Sequence, residues 1–274
     1  LLAALYARGR TSIVEPAPTR DHTERMLQDF GVHLVRAGAR VSLHGGQSLR
    51  GCRVQVPGDF SSAAFFIVAG CLAAPDGLTI RNVGCNPTRT GLLRMLELMG
   101  ADIELRTPAA PARHAGGQAE PQADIHVRAS ALRGIRVPEE LVALAIDEFP
   151  AFFIAAAAAE GETIVTGAAE LRVKETDRLD AMAQGLGSLG VQCRLLPDGL
   201  IVQGVGGRSG DRRFGGARID SRGDHRIAMA FAIASLRARA AIRIEDVDNV
   251  ATSFPGFPEL ARAVGLGLQE EDGP

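Results

Sequence analysis

The sequence has few cysteines, and none of them forms a metal-binding motif. Its four cysteines, Cys52, Cys71, Cys85 and Cys193, lie far apart and include no CxxC pair. Structural zinc sites usually take closely spaced cysteines, and disulfide-dense domains are small and secreted. This pattern predicts a reduced, cytoplasmic protein with no zinc site.

Neither sign of charge is in excess, and long apolar runs are lacking. The 30 basic and 32 acidic residues give a net charge of −2, which argues against a nucleic-acid partner bound by bulk electrostatic attraction. The longest apolar run, residues 152–159, is mostly alanine and is much shorter than the roughly 20 residues of a membrane-spanning helix. We therefore expect no membrane association, and any cationic site must be local.

Nucleotide- and metal-binding motifs are also missing. The sequence contains no HExxH, no P-loop, no His/Cys cluster and no GxGxxG after a strand pattern. These absences exclude metal, nucleoside triphosphate and dinucleotide as default cofactors, so we expect none. The chain opens on Leu1, inside an apolar segment typical of the end of a buried helix, and we interpret it as a fragment.

The same order of segments occurs four times: an alanine-rich helix, a β-rich run, an amphipathic helix, a glycine and a further strand. The β-rich runs are residues 11–14, 78–81, 163–166 and 242–244, and the amphipathic helices contain residues 24–27, 93–96, 179–182 and 258–261. Glycines suited to a left-handed helix end follow these helices, at Gly31, Gly100, Gly190 and Gly265. This period is too long for an ordinary solenoid and predicts an α/β fold of mixed βαβαββ-type units.

A segment rich in proline, alanine and glycine, residues 106–121, separates the second copy from the third. It is either a hairpin insertion or a crossover between two domains, and in both cases the chain divides near residue 105. Residues 206–211 are a second glycine-rich stretch, which we interpret as a surface loop.

Residues 171–178 hold three cations and two acids at a predicted strand-to-helix junction. The first N–H groups of a helix are unpaired and attract anions. Lys174 and Arg178, four residues apart on one predicted helical face, would add full charges. The run indicates an anionic ligand site, and the alternative is a solvated helix start whose charges pair with one another.

Two further charged blocks each precede an apolar helix. Asp147 and Glu148 are either helix caps or, beside cations, a general base. In the second block, Asp224 could fix the tautomer of His225 and Arg226 could bind an anion, although a lone histidine is often structural.

A threonine–arginine pair precedes the first amphipathic helix and recurs before the second. Thr19 and Arg20 suit a phosphate oxygen, but Thr19 is also a good helix cap, and the recurrence at Arg89 by itself favours a structural role. Asp59 and Ser61 open an apolar helix in the same way as the acids above, and they are either caps or ligand contacts.

Seven blocks, taken in order, resemble the signatures of the 5-enolpyruvylshikimate-3-phosphate (EPSP) synthase family, particularly the bacterial subgroup that contains glyphosate-tolerant members. They read TRDHT, VPGD, NPTRTG, IDEFP, RVKETDR, DHRIAM and ATSFPGF, and they begin at residues 19, 56, 86, 146, 172, 224 and 251. The resemblance covers nearly the whole chain.

The resemblance implies six βαβαββ units, three in each of two inside-out barrel domains with helices inside and sheets outside. Four units are present here, so the first domain is expected to be incomplete. The resemblance favours the crossover over the hairpin insertion. It gives residues 1–105 as the remainder of the N-terminal domain, 106–123 as the linker and 124–274 as the C-terminal domain.

The family transfers the enolpyruvyl group of phosphoenolpyruvate to the 5-hydroxyl of shikimate 3-phosphate and releases phosphate through a tetrahedral intermediate, without a metal. The residues that the resemblance implies in catalysis are the proton acceptor Asp147 together with Lys174, Glu175 and His225. Those implied in binding shikimate 3-phosphate are Arg20, Asp147 and Lys174. Those implied in binding phosphoenolpyruvate are Glu175, Arg178, His225 and Arg226.

The chain departs from the family pattern in two respects. Thr252 stands where some relatives have a lysine, so no phosphoenolpyruvate contact is assigned there. The family's N-terminal Lys-Ser and Arg contacts, its glycine-rich loop and its Ser/Gln pair are absent. We therefore expect the chain alone to be inactive or nearly so and to expose apolar surface. Its expected partners are the two substrates and the missing N-terminal segment, and the intact enzyme is expected to be a monomer.

Two other functions remain open at this point. A UDP-N-acetylglucosamine enolpyruvyl transferase would share the fold and phosphoenolpyruvate. A non-catalytic assembly fragment would pack against a separate chain.

Overall fold

The structure, a computed structural model, describes residues 1–15, 20–107, 120–206 and 214–271. Strands β1 to β11 are Arg10–Val14, Leu34–Ala37, Arg40–His44, Leu78–Gly84, Asp102–Arg106, Gln122–Arg128, Glu160–Val165, Gln192–Leu196, Gly199–Val205, Ala217–Asp220 and Ile242–Glu245. Helices α1 to α9 are His22–Asp29, Phe60–Ala73, Gly91–Leu98, Glu139–Val142, Phe149–Ala158, Arg178–Ser188, His225–Ala234, Asp248–Ser253 and Phe257–Ala263. The expectations for Thr19 and for most of segments 106–121 and 206–211 lie outside the described residues.

The β-rich runs and amphipathic helices of the four predicted repeats are confirmed, but the strand expected after the fourth glycine is not formed in residues 266–271. The β-rich runs are β1, β4, β7 and β11, and the amphipathic helices are α1, α3, α6 and α9. The predicted glycines have positive φ, at Gly31 (83°), Gly100 (89°), Gly190 (86°) and Gly265 (95°). The residue after each glycine donates its N–H to a carbonyl five residues earlier, at Val32, Ala101, Val191 and Leu266. This is the Schellman pattern, which glycine allows without strain at the left-handed position.

Three sheets share one topology. Their strand orders are β1-β3-β2, β4-β6-β5 and β7-β9-β8. In each sheet the strand that comes last along the chain lies in the middle and pairs antiparallel with both neighbours. Parallel bridges from Gly58 to Val83 and from Arg136 to Ile164 add the start of a strand ahead of α2 and α5. Strands β10 and β11 form a parallel pair around α7 in the same way. The βαβαββ unit is therefore confirmed.

The predicted division near residue 105 is wrong. Strand β6 lies between β4 and β5, with Asp102 opposite Arg128, so the segment after β5 joins two neighbouring strands of one sheet, as in the hairpin alternative. One hydrophobic core extends from Phe60 to Leu266, and a second, smaller core from Ala4 to Leu43. We therefore place the division between these cores, in residues 47–57, where the chain forms neither helix nor strand.

The apolar helices α2, α5 and α7 form the centre of the larger core. In α5 every residue from Phe149 to Ala157 is buried, and the rings of Phe149, Phe152 and Phe153 lie 5.6 to 6.2 Å apart. A helix that is apolar on all sides is stable only when all sides are covered. The packing brings the first turns of the three helices together, and these turns carry the charged blocks.

The smaller core leaves apolar side chains uncovered. Leu2, Tyr6 and Val14 are 62%, 91% and 58% exposed, which agrees with the apolar exposure expected from the sequence. Among the described residues no helix is both long and apolar enough to cross a bilayer.

Candidate active site

Three charged blocks that are separate in sequence meet in one cluster. Asp147 lies just before α5, Arg226 lies in the first turn of α7, and Arg178 is the first residue of α6. The starts of α5 and α7 are joined directly, because Nη1 of Arg226 donates to the backbone carbonyl of Asp147 over 3.0 Å. The cluster therefore sits where the repeat units meet.

Asp147 lies among four cations. Its Oδ1 is 3.3 Å from Nζ of Lys174 and 3.6 Å from Nη1 of Arg178, and its Oδ2 accepts from Arg20. Burial raises the pKa of this carboxyl, but Arg226, Lys174 and Arg20 outweigh burial and lower the pKa to about 2. Asp147 is therefore ionised at neutral pH, so it can act as a base without first losing a proton.

Arg178 is buried among acidic side chains, and one of its donor nitrogens makes no hydrogen bond in the part of the chain that the structure describes. Its side chain is 1% exposed; Nε donates to Asp224 over 2.7 Å and Nη2 to Glu175 over 2.6 Å. Its Nη1 is buried and has no hydrogen-bond partner among the described residues. Because an unpaired buried donor is costly, this atom is suited to receive an acceptor oxygen from a ligand.

The segment before α6 is bent, contrary to the expectation of one continuous helix. A 3₁₀ turn covers Ala169–Val173, and Lys174 then has extended backbone with ψ of −158°. Asp177 caps the next helix, so α6 begins only at Arg178. The prediction that Lys174 and Arg178 share a helical face is wrong, and the two cations meet at Asp147 through this bend.

Other charges of the segment pair locally. Arg172 donates to the carbonyls of Leu196 and Pro197 and to the carboxylate of Asp177. These contacts hold the bend against the β8–β9 turn, and the Arg172–Asp177 pair is of the kind that the alternative reading expected, with charges of the run pairing with one another. Lys174 has a second acidic partner, Glu170, at 2.6 Å, which sequence reasoning missed.

The first turn of α7 departs from the expected pairing. Asp224 is fully buried; its Oδ1 caps the helix by accepting from the N–H of Arg226 over 2.8 Å, and its Oδ2 binds Arg178. The Asp224 carboxylate thus connects the starts of α7 and α6. It does not hold the tautomer of His225, which the sequence suggested as its role. Burial and then Arg226 lower the pKa of His225, which favours the neutral imidazole at neutral pH.

Arg20 and Arg89, which recur in the sequence, differ in the structure. Arg20 is half exposed and reaches Asp147 from the smaller core. Arg89 is mostly buried, donates to Ser61 over 2.6 Å and lies 3.5 Å from Glu148. Only Arg20 belongs to the cluster around Asp147.

One further feature of the sequence distinguishes Lys174. Lys174 is the sole lysine among 30 basic residues. An arginine stays protonated at any physiological pH, whereas a lysine can give up and recover a proton. A lone lysine in a chain otherwise served by arginine therefore marks a position suited to proton transfer. Within the described ranges no three His, Cys, Asp or Glu side chains are grouped closely enough to hold a metal ion.

The chain is similar to solved structures of enolpyruvyl transferases. A structure of EPSP synthase from Acinetobacter baumannii matches with a TM-score of 0.89 at 52% identity, over 97% of this chain and 59% of that one. The enolpyruvyl transferase NikO from Streptomyces tendae matches with a TM-score of 0.74 at 20% identity, over 100% of this chain and 59% of that one, a likeness of fold alone. The fold is thus that of the enolpyruvyl transferases.

Sequence comparison narrows this class. A family model described as EPSP synthase (3-phosphoshikimate 1-carboxyvinyltransferase) matches residues 1–260. Curated 3-phosphoshikimate 1-carboxyvinyltransferases from Halorhodospira halophila and Methylococcus capsulatus are 57% and 55% identical over 100% and 98% of this chain. The chain belongs to the EPSP synthase family, and it spans 59% of the length of these relatives. The matches favour this family over the UDP-N-acetylglucosamine alternative.

Proposed function

We propose that this chain carries the acid–base centre and part of the anion sites of a 3-phosphoshikimate 1-carboxyvinyltransferase. The reaction transfers the enolpyruvyl group of phosphoenolpyruvate to the 5-hydroxyl of shikimate 3-phosphate. The position of Asp147 among Lys174, Arg178 and Arg226 carries the proposal. Two phosphorylated substrates repel each other, so holding them together requires converging cations with a base within reach.

Asp147 is the proposed base, which takes the hydroxyl proton as the substrate oxygen bonds to C2 of phosphoenolpyruvate. With a pKa of about 2 the carboxylate is a weak base before substrate binds. A bound anion competes with Asp147 for Arg178 and Arg226, and weaker pairing raises the pKa of the carboxyl. Substrate binding would thus strengthen the base that it needs.

Lys174 is the proposed donor of the proton that the methylene carbon receives. Its Nζ lies 3.3 Å from Asp147, so the proposed acid and base lie side by side. His225 is a poorer donor because its lowered pKa favours the neutral ring. We assign it to lining the phosphoenolpyruvate site. The half-exposed Glu175, held by Arg178 over 2.6 Å, is the group that we propose removes a proton from the same carbon when the C2–O bond to phosphate breaks.

The anion contacts are proposed from the state of the arginine donors. Nη1 of Arg178 is buried and has no hydrogen-bond partner among the described residues, which supports a phosphoenolpyruvate contact there and at the neighbouring Arg226. Arg20 reaches the cluster from the side of the smaller core and is half exposed, which supports a contact to shikimate 3-phosphate.

The complete reaction is proposed for this chain only together with the part of the relatives that it does not match. The chain alone is expected to show little or no turnover, because the remaining anion contacts would come from that part. We also propose a cytoplasmic location, which the four free cysteines support, and a monomeric intact enzyme.

The test measures phosphate release from shikimate 3-phosphate and phosphoenolpyruvate. The chain is assayed alone and with the unmatched segment of the Halorhodospira halophila relative added as a separate polypeptide. We expect release only from the mixture, and at least about 100-fold less with Asp147→Asn. Asp76→Asn, at an exposed position far from the cluster in sequence, is the matched control and should retain activity.

Three outcomes would count against the proposal. Robust turnover by the chain alone contradicts the expected division of the site. Equal activity of the mixture with and without the Asp147 carboxylate contradicts its role as base. A stable complex of the two polypeptides that releases no phosphate would favour the assembly-fragment alternative.

A further inference from the structure

Glu148 is a buried carboxylate that the proposed reaction does not use. Its side chain is 3% exposed, and it makes no capping hydrogen bond to α5. Carboxylates that do cap helices here are Asp59, Asp177 and Asp224. Because burying a carboxylate is costly unless it is paired, its position requires another explanation.

The partners of Glu148 come from α2 and from the turn before α3. Ser61, in the first turn of α2, donates to Oε1 of Glu148, and the same oxygen is 3.5 Å from Nη2 of Arg89. That Nη2 also donates to Oγ of Ser61 over 2.6 Å. Burial raises the pKa of Glu148, while Ser61, Arg89 and Arg226 oppose the rise. The carboxylate thus joins the start of α5 to the start of α2.

The Arg89 cluster repeats, one unit earlier, the arrangement around Arg178. Arg178 binds Asp224 of the following central helix over 2.7 Å and lies 3.6 Å from Asp147 of its own unit. Arg89 lies 3.5 Å from Glu148 of the following central helix and donates to α2 of its own unit. In both clusters an arginine links the starts of two successive central helices. The cluster around Arg178 contains the proposed base, Asp147. The cluster around Arg89 contains Glu148, the next residue along the chain.

We propose that Glu148 is a positioning residue, which ties the start of α5 to α2 and thereby holds Asp147 and its bonded partner Arg226 in place. Glu148 and Asp147 are adjacent residues of the turn that leads into α5 and share one planar peptide bond, so anchoring the Glu148 side chain limits the movement of Asp147. Asp147 is one residue away, and its carbonyl receives the Arg226 hydrogen bond. A shift of about 1 Å in such a group can cost about 100-fold in rate.

The first test needs no substrate. The titration of the Asp147 carboxyl carbon is followed by NMR in the 274-residue chain, in wild type, Glu148→Gln and Ser61→Ala. The charged groups that face Asp147 are Arg20 after β1, Lys174 and Arg178 before and in α6, Arg226 in α7, and Glu148 itself. Loss of the nearby negative charge alone would lower the Asp147 pKa further in Glu148→Gln. Loss of positioning instead separates Asp147 from its cations and raises the pKa of Asp147.

We expect the Asp147 midpoint to rise by about 0.5 pH unit or more in both variants. Ser61→Ala changes no charge, so a rise there reports placement only, and it serves if Glu148→Gln fails to fold. Glu97→Gln, exposed on α3, is the control for removing one carboxylate. A midpoint that falls in Glu148→Gln, or that stays at the wild-type value in Ser61→Ala, overturns the proposal.

The second test rests on the proposed function and uses phosphoenolpyruvate as the probe. By calorimetry we expect Glu148→Gln to bind it at least about fivefold more weakly than wild type, although the lost negative charge by itself favours an anion. Equal or tighter binding would overturn the proposal. The calorimetry is done with the unmatched segment of the Halorhodospira halophila relative added. If this wild-type mixture binds no phosphoenolpyruvate while the titrations move as expected, the proposed function fails and the positioning role stands.

Discussion

Nη1 of Arg226 donates a hydrogen bond to the backbone carbonyl of Asp147 over 3.0 Å. The bond connects the first turn of α7 to the turn that leads into α5, and these helices belong to different repeat units. Any relative movement of the two units therefore disturbs the contact between Arg226, proposed to bind an anion, and the proposed base. The site is a property of how the units pack.

The acid stability of the chain should depend on Asp147. Its pKa falls from an ordinary 3.8 to about 2 on folding, so its contribution is fully present above pH 3.8 and is lost as the pH falls towards 2. The difference in unfolding free energy between wild type and Asp147→Asn should shrink by about 2 kcal/mol over this window.

Urea unfolding at a series of pH values measures this difference. Asp76→Asn, at an exposed position, controls for the removal of one carboxylate. A wild-type to Asp147→Asn difference that stays constant between pH 5 and pH 2 would show that the cations do not hold the carboxylate in solution.

Arg178→Met should unfold far more easily than a surface variant. The substitution leaves Asp224, which is fully buried, without its guanidinium partner, and we expect a loss of about 3 kcal/mol. Arg218→Met breaks an exposed pair with Glu245 on the β10–β11 sheet and should cost less than about 1 kcal/mol. Denaturant midpoints compared at equal m-values give both numbers. Similar losses in the two variants would be incompatible with the buried pair.

Two glycines at the end of α6 should respond to alanine in opposite directions. Gly190 has φ of +86° and Gly187 lies inside the helix, and an added Cβ meets nothing within 4 Å at either position. Gly190→Ala should destabilise by about 1 kcal/mol because the left-handed conformation is strained. Gly187→Ala should stabilise by about 0.5 to 1 kcal/mol because alanine is the better helix former. Thermal unfolding of the pair is the measurement, and changes of the same sign would refute the assignment of the helix end.

The repeats were predictable because local chemistry determines them. Each amphipathic helix ends at a glycine whose conformation other residues resist, so the position of Gly31 or Gly100 was readable without knowledge of the packing. The membership of Asp147 and Arg226 in one cluster rested on the family resemblance, because nothing in their separation along the chain brings them together.

The errors have a common origin in long-range pairing. Residues 106–121 have the composition of a linker, but the pairing of β5 with β6 decides that they connect a hairpin. The stretch between the two cores, residues 47–57, has no comparable signal in its composition. In the same way Asp224 was assigned to its neighbour His225, whereas its main partner, Arg178, lies 46 residues away.

Lys174 allows the cluster to be modified selectively by a covalent reagent. Apart from the amino terminus, it carries the only primary amine of the chain, and its side chain is 21% exposed beside Asp147. A reagent that acylates amines can therefore modify only one side chain, and that side chain lies at the proposed catalytic centre. The extent of labelling at Lys174, read separately from that at the amino terminus, would report whether the site is occupied without any mutation.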